Sequence, residues 1–234
     1  MDFKKKIIVA LDTIDTNEAL GITKLIPNVG AFKLGLEYFC ANGPKGIRKI
    51  SETGIKIFLD LKFHDIPNTV AGAIKASLDL EPFMMTVHLS GGYNMLHRTM
   101  EEVKEYCSKK SLKRPLILGV SVLTSIDNND FSSLGIIGKV EDQVIRLAKL
   151  AEYASLDGLV CSAKELKAVK KATGKNLILV TPGIRPTGED DHDQKRIVTP
   201  AQAINDGADF LVIGRPITGV NDPKKALYNI SLEM

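Results

Sequence analysis

FLDLKFHDIPNTV, residues 58–70, runs from an apolar, strand-like stretch into Asp60, Lys62 and Asp65, and Pro67 stops the turn that follows. On a strand, residues i and i+2 share a face, so Asp60 and Lys62 are expected to point together beyond the strand end. A carboxylate beside an ammonium keeps both groups charged. Such a pair is either an ion network capping a strand, worth little in stability, or a poised cation and a fixed anion for chemistry. Which reading holds depends on the sheet this strand joins.

The same pattern extends outward in both directions. Short apolar runs recur at Ile7 to Leu11, Ala31 to Leu34, Ile55 to Leu59, Phe83 to Leu89, Leu116 to Val122, Gly158 to Cys161, Leu177 to Val180 and Phe210 to Ile213, giving eight candidate strands. Segments with helical spacing separate them, as in Glu141 to Tyr153, where Val144, Leu147, Ala148 and Ala151 form one stripe. Strict strand–helix alternation with near-continuous hydrophobic strands predicts a parallel sheet covered by helices. Eight units in 234 residues predict a closed α/β barrel, the (β/α)8 TIM barrel, with an open doubly wound sheet as the alternative. No linker, low-complexity tract or charge block divides the chain, so residues 1–234 are expected to form a single domain.

Polar residues collect where the strands end. Asp12 follows the first, Lys33 lies between Phe32 and Leu34 in the second, Asp60 and Lys62 belong to the third, His88 to the fourth, Thr124 to the fifth and Arg215 to the eighth. A closed barrel brings these positions to one rim; an open sheet does not. Lys33 is expected to reach Asp60, so that Lys33, Asp60, Lys62 and Asp65 alternate in charge and hold one another. The stretch TPGIRPTGEDDHDQKRIVTP, residues 181–200, has only three aliphatic side chains, Ile184, Ile197 and Val198, and reads as a lid-like loop carrying Arg185 and Gln194. Arg185 can clamp a phosphate bidentately, and Gly214-Arg215-Pro216 falls where barrels build a phosphate site from their last two loops. Asp190, Asp191, His192 and Asp193 imitate a metal cluster, but adjacent residues rarely converge on one ion, and no metal site is expected. His64 and His88 fit either acid–base groups or hydrogen-bonded rim histidines, and neither is given a catalytic role. Thr124 and Ser125 could bind a ligand amide or cap the next segment.

Composition removes several function classes. The net charge of +3 is dispersed, with Lys4 to Lys6 the only dense basic run, and aromatic residues are 6% with no Trp; a nucleic-acid partner is not expected, and the small positive excess suits an anionic metabolite. Cys40, Cys107 and Cys161 are odd in number and scattered, which fits neither a disulfide framework nor a metal site and suits a reducing cytoplasm. The opening MDFKKKIIVALD has only five apolar residues between its charges, too few for a signal-peptide core or membrane span, so no membrane partner is expected.

DLKFHDIPNTV resembles the D-x-K-x-x-D signature of the orotidine 5′-phosphate decarboxylases. Matches continue in family order through VALD (9–12), FKLGLEYF (32–39), LTS (123–125), DGLVCSA (157–163), TPGIRP (181–186), HDQKRIVTP (192–200) and VIGRPIT (212–218). The resemblance implies decarboxylation of orotidine 5′-phosphate to uridine 5′-phosphate without a cofactor, the last step of de novo pyrimidine synthesis. It implies Lys62 as proton donor to C6, Asp60 against the departing carboxylate, and Lys33 and Asp65 completing the charge chain. It implies a homodimer with shared sites, in which Asp65, Ile66 and Thr69 enter the partner's pocket. Asp12 would hold the ribose, Thr124 the pyrimidine, Pro182 the base pocket, and Arg185, Gln194 and the Gly214–Arg215 backbone the phosphate. The rival readings are a Mg²⁺-dependent sugar-phosphate decarboxylase or aldolase of similar architecture, and a non-catalytic barrel that binds a phosphate ligand.

Overall fold

The computed structural model describes residues 2–174, 177–186 and 198–234. Eight strands, β1 (Ile7–Ala10), β2 (Ala31–Gly35), β3 (Ile57–Phe63), β4 (Met84–His88), β5 (Leu116–Val120), β6 (Gly158–Val160), β7 (Ile178–Thr181) and β8 (Phe210–Ile213), close in sequence order into a parallel barrel, as the alternation predicts. Its outer layer holds α1 (Thr16–Leu25), α2 (Leu36–Ser51), α3 (Pro67–Leu78), α4 (Gly92–Lys110), α5 (Asn128–Ser133), α6 (Val140–Tyr153), α7 (Leu166–Ala172), α8 (Pro200–Asp206), α9 (Arg215–Thr218) and α10 (Pro223–Leu232). The open-sheet alternative fails because β1 pairs with both β2 and β8.

Local chemistry sets the helix starts. Asp15 accepts the Asn17 N–H at the head of α1, Asp127 forms a capping box at α5, and α3, α8 and α10 place Pro67, Pro200 and Pro223 in their first turns, where a missing N–H costs nothing. Inside α2, Gly43 adopts φ +58° ahead of Pro44, a kink that glycine supplies without a Cβ clash. Helix α6 buries the expected stripe of Val144, Leu147, Ala148 and Ala151.

Alternation along the strands divides the apolar residues between two compartments. Ile8, Ala10, Ala31, Phe58, Met84, Leu118, Val180 and Val212 form one cluster drawn from the strands, the packed barrel interior. Strand residues of the other parity, such as Val9, Phe32, Leu59, Val87 and Leu211, join helix residues such as Ala19, Tyr38, Val70, Leu96 and Val144 in the larger outer core. At the N-terminal end two aspartates tie neighbouring strands: Asp157, just before β6, accepts the Ile117 N–H at 2.7 Å, and Asp209, just before β8, accepts the Leu179 N–H at 2.8 Å. Those are backbone donors at strand starts, and a charged acceptor satisfies each strongly.

One element departs from expectation. Strand β3 does not stop at Leu59 but continues through Asp60 and Lys62 to Phe63, and its register against β4 shifts on the way: Leu59 lies opposite Met85 and Phe63 opposite Val87, so four steps of β3 match two of β4. Lys62 there has φ +49°. In the segment after β7, Ile184 and Val198 form a parallel bridge, and residues 187–197, where most of the expected loop falls, lie outside the described residues. Ile184 is fully buried, so that loop begins in the core.

Candidate active site

The strand ends converge on a cavity of about 360 Å³ at the C-terminal rim. Asp12, Lys33, Asp60, Lys62, Thr124, Pro182, Arg185, Gly214 and Arg215, all singled out from the sequence, line it. Phe58, Val120, Val160 and Val212 form its apolar part, and Ala10, Val122, Leu123, Ser125, Cys161 and Gly183 complete the wall. An apolar floor beneath a ring of charges lowers the local dielectric and strengthens each electrostatic contact.

Two ion pairs organise the charges. Lys62 Nζ donates to Asp60 Oδ2 at 2.8 Å, and the side chains are 32% and 10% exposed, so the pair sits half inside the barrel. Lys33 Nζ donates to Asp12 Oδ1 at 3.0 Å. The expected link from Lys33 to Asp60 is therefore replaced by one to Asp12. Register makes both carboxylates reachable, since Lys33 pairs with Ala10 on one side and Phe58 on the other, each two residues short of an aspartate. Asp60 is already occupied: Oδ2 takes Lys62 and Oδ1 accepts the Thr86 hydroxyl at 2.9 Å. Gly35 makes room for this traffic, because a Cβ there would stand 3.2 Å from Lys33 Nζ.

Asp65 also departs from the single alternating chain. Its carboxylate accepts the Ile66 N–H at 2.6 Å, it is exposed, and it does not line the cavity. Ile66, 68% exposed, and Thr69 share that surface at the start of α3. Gln194 lies outside the described residues, as do Asp190, Asp191, His192 and Asp193. Among the described residues no group of three or more His, Cys, Asp or Glu could hold a metal ion, and no helix is long and apolar enough to cross a membrane.

Arg185 is buried at the far side from Lys62's strand, on the loop after β7, and its guanidinium donates to the Ile184 carbonyl at 3.0 Å. Arg215 opens α9 directly after Gly214 and is exposed. His64 and His88 stack with ring centroids 5.3 Å apart, and His88 Nδ1 lies 2.9 Å from the Ser90 hydroxyl. Burial, then the nearby His64 and Lys62, hold His88 below the ordinary histidine range. Sequence reading missed Thr86, which is fully buried and whose Oγ1 also accepts the Lys62 N–H at 2.9 Å. Its signal was a lone hydroxyl in the otherwise apolar run Met84 to Val87.

Fold and rim together define a (β/α)8-barrel enzyme that arrays lysine–aspartate pairs and arginines around one cavity. Residues 5–230 match the model of the orotidine 5′-phosphate decarboxylase / HUMPS family, and the chain belongs to that family. The orotidine 5′-phosphate decarboxylase of Moorella thermoacetica is 47% identical, with 100% of this chain and 94% of that protein covered. That of Sphingopyxis alaskensis is 49% identical, with 96% of each covered. The crystal structure of orotidine 5′-phosphate decarboxylase from Lactobacillus acidophilus superposes with a TM-score of 0.84 at 35% identity, covering 97% of both chains.

Proposed function

We propose that this protein decarboxylates orotidine 5′-phosphate to uridine 5′-phosphate and CO₂ without a cofactor, as one domain working in a cytoplasmic homodimer. The observation that carries the reading is the Lys62–Asp60 pair, 2.8 Å apart, at one side of a cavity that Arg185 and Arg215 also line. A substrate with a carboxylate at one end and a phosphate at the other matches that separation of charges, and the names of the relatives above favour the same substrate.

Loss of CO₂ from C6 leaves a carbanion whose lone pair lies in the ring plane and cannot delocalise into the carbonyls. Enzymes remove about 8–23 kcal/mol from such barriers. Asp60 facing a substrate carboxylate at about 4 Å would contribute roughly 4 kcal/mol at an effective dielectric near 20, so repulsion is not sufficient. Lys62 supplies the larger part: its ammonium, already aimed by Asp60, stabilises the carbanion as it forms and gives it a proton, leaving uridine 5′-phosphate and a neutral amine. Lys33, paired with Asp12, completes the charges around the reacting group, Asp12 holds the ribose, Thr124 and Pro182 the pyrimidine, and Arg185, Gln194, Gly214 and Arg215 the phosphate. Asp65, with Ile66 and Thr69, serves the partner's site, which accords with their exposure and their absence from the lining of their own subunit's cavity.

The decisive experiment follows the absorbance of orotidine 5′-phosphate with and without exhaustive chelation. Full turnover in both supports the reading. Turnover abolished by chelation and restored by Mg²⁺ favours an enediolate-forming relative, and no turnover in either favours a non-catalytic barrel.

A further inference from the structure

Thr86 stands where β3 and β4 fall out of register. Between the Leu59–Met85 and Phe63–Val87 partners, β3 carries Asp60, Leu61 and Lys62 while β4 carries Thr86 alone. A bulge of this kind strands backbone donors that the neighbouring strand no longer meets. One of them, the Lys62 N–H, is taken by the Thr86 hydroxyl oxygen at 2.9 Å instead of a β4 carbonyl. The same oxygen gives its own proton to Asp60 Oδ1, also at 2.9 Å. One fully buried hydroxyl thus fixes both members of the rim ion pair, Lys62 through its backbone and Asp60 through its carboxylate.

Both constraints matter for direction. Lys62 sits at φ +49°, a region that a residue with a Cβ occupies at a cost and only when its surroundings determine it. A hydrogen bond to its N–H is such a determinant. Asp60 Oδ1 held by Thr86 leaves Oδ2 as the oxygen that meets the Lys62 ammonium. We infer that Thr86 is a positioning residue for the proton transfer: its hydroxyl sets the backbone of Lys62 and the rotamer of Asp60 so that the ammonium lies at the reacting carbon. The inference rests on the reading of Lys62 as proton donor. Thr86 itself touches no substrate, and a misplacement near 1 Å at a proton donor costs about 10²-fold in rate.

Two complementary substitutions separate hydroxyl from packing. Thr86→Val keeps the shape and removes the hydroxyl; Thr86→Ser keeps the hydroxyl and removes a methyl. With orotidine 5′-phosphate as substrate, Thr86→Val is expected to lower kcat about 10²-fold with KM and uridine 5′-phosphate affinity changed less than three-fold, and Thr86→Ser to retain kcat within about five-fold of wild type. If Thr86→Val does not fold, the serine variant decides alone: kcat near wild type supports the hydroxyl, and a large loss overturns it in favour of packing. Wild-type turnover with Thr86→Val within two-fold of it overturns this inference alone. No turnover by wild type overturns the decarboxylase reading and the inference with it.

Discussion

Lys62 Nζ and Asp60 Oδ2 are 2.8 Å apart on one strand, and no intervening side chain separates cation from anion. On the proposed mechanism, removing the cation leaves Asp60 facing the substrate carboxylate with nothing to protonate the carbanion. Lys62→Ala is expected to lower kcat by about 10²–10⁴-fold, measured as absorbance loss per folded subunit, with uridine 5′-phosphate still bound. Lys62→Arg is expected not to restore activity, because a planar guanidinium cannot replace a point donor at this spacing. Near-wild-type turnover by Lys62→Ala would remove the proton-donor assignment.

Asp65 supplies a test of shared sites. Lys62→Ala and Asp65→Ala are each expected to be inactive alone. If the proposed homodimer shares its sites, mixing under conditions of subunit exchange gives hybrids in which one site carries both lesions and the other neither, so activity should return in part. No recovery despite demonstrated exchange places Asp65 in its own subunit's site.

His88 gives a pH dependence of defined sign. Burial first, then the His64 ring and the Lys62 ammonium, disfavour its charged form in the folded state. The unfolded chain therefore binds the proton more readily, and stability falls as pH drops below the ordinary histidine value of 6.5 and stays reduced below the folded value. His88→Gln is expected to flatten that segment of a Tm-against-pH curve. An unchanged slope between pH 7 and 5 would show that His88 does not contribute it.

Glu102 on α4 binds Lys75 of α3 at 2.8 Å and Arg98 one turn back at 2.8 Å, with its carboxylate side chain only 9% exposed. The Lys75 hydrogen bond is the main force holding its acid below the ordinary glutamate range, against the opposing effect of burial. Its contribution is therefore present above the ordinary value of 4.5 and is lost as pH falls through the folded value. Glu102→Gln is expected to lower Tm by a few degrees at pH 7, with the gap narrowing toward pH 4. Equal gaps at both pH values would assign the effect to packing.

The barrel was legible because its evidence is local. Each strand is an apolar run, and helices such as Val140–Tyr153 show their buried stripe in the residue spacing. Asp12, Lys33, Asp60, Lys62 and Arg215 were legible for the same reason, as polar residues placed at strand ends that a barrel must bring together, and Arg185 as the phosphate-clamping cation of the loop after the seventh strand. The choice Lys33 makes was not. Two carboxylates lie within its reach, and what decides between them is the prior occupation of Asp60 by Lys62 and Thr86, a three-body contact across two strands. Thr86 escaped notice because its importance comes from register, and a parallel register is a property of two strands that neither sequence states by itself.

The excess of β3 over β4 between Leu59 and Phe63 is two residues, and the evenness of that number has a consequence. Leu59, Leu61 and Phe63 all face the outer core while Asp60 and Lys62 line the cavity, so the bulge leaves inside and outside unchanged along the strand. An excess of one would have reversed every residue beyond it, sending Lys62 toward the helices and Phe63 into the ligand cavity. Insertions or deletions in this wall are therefore tolerable only in pairs, a parity rule that any redesign of the rim inherits.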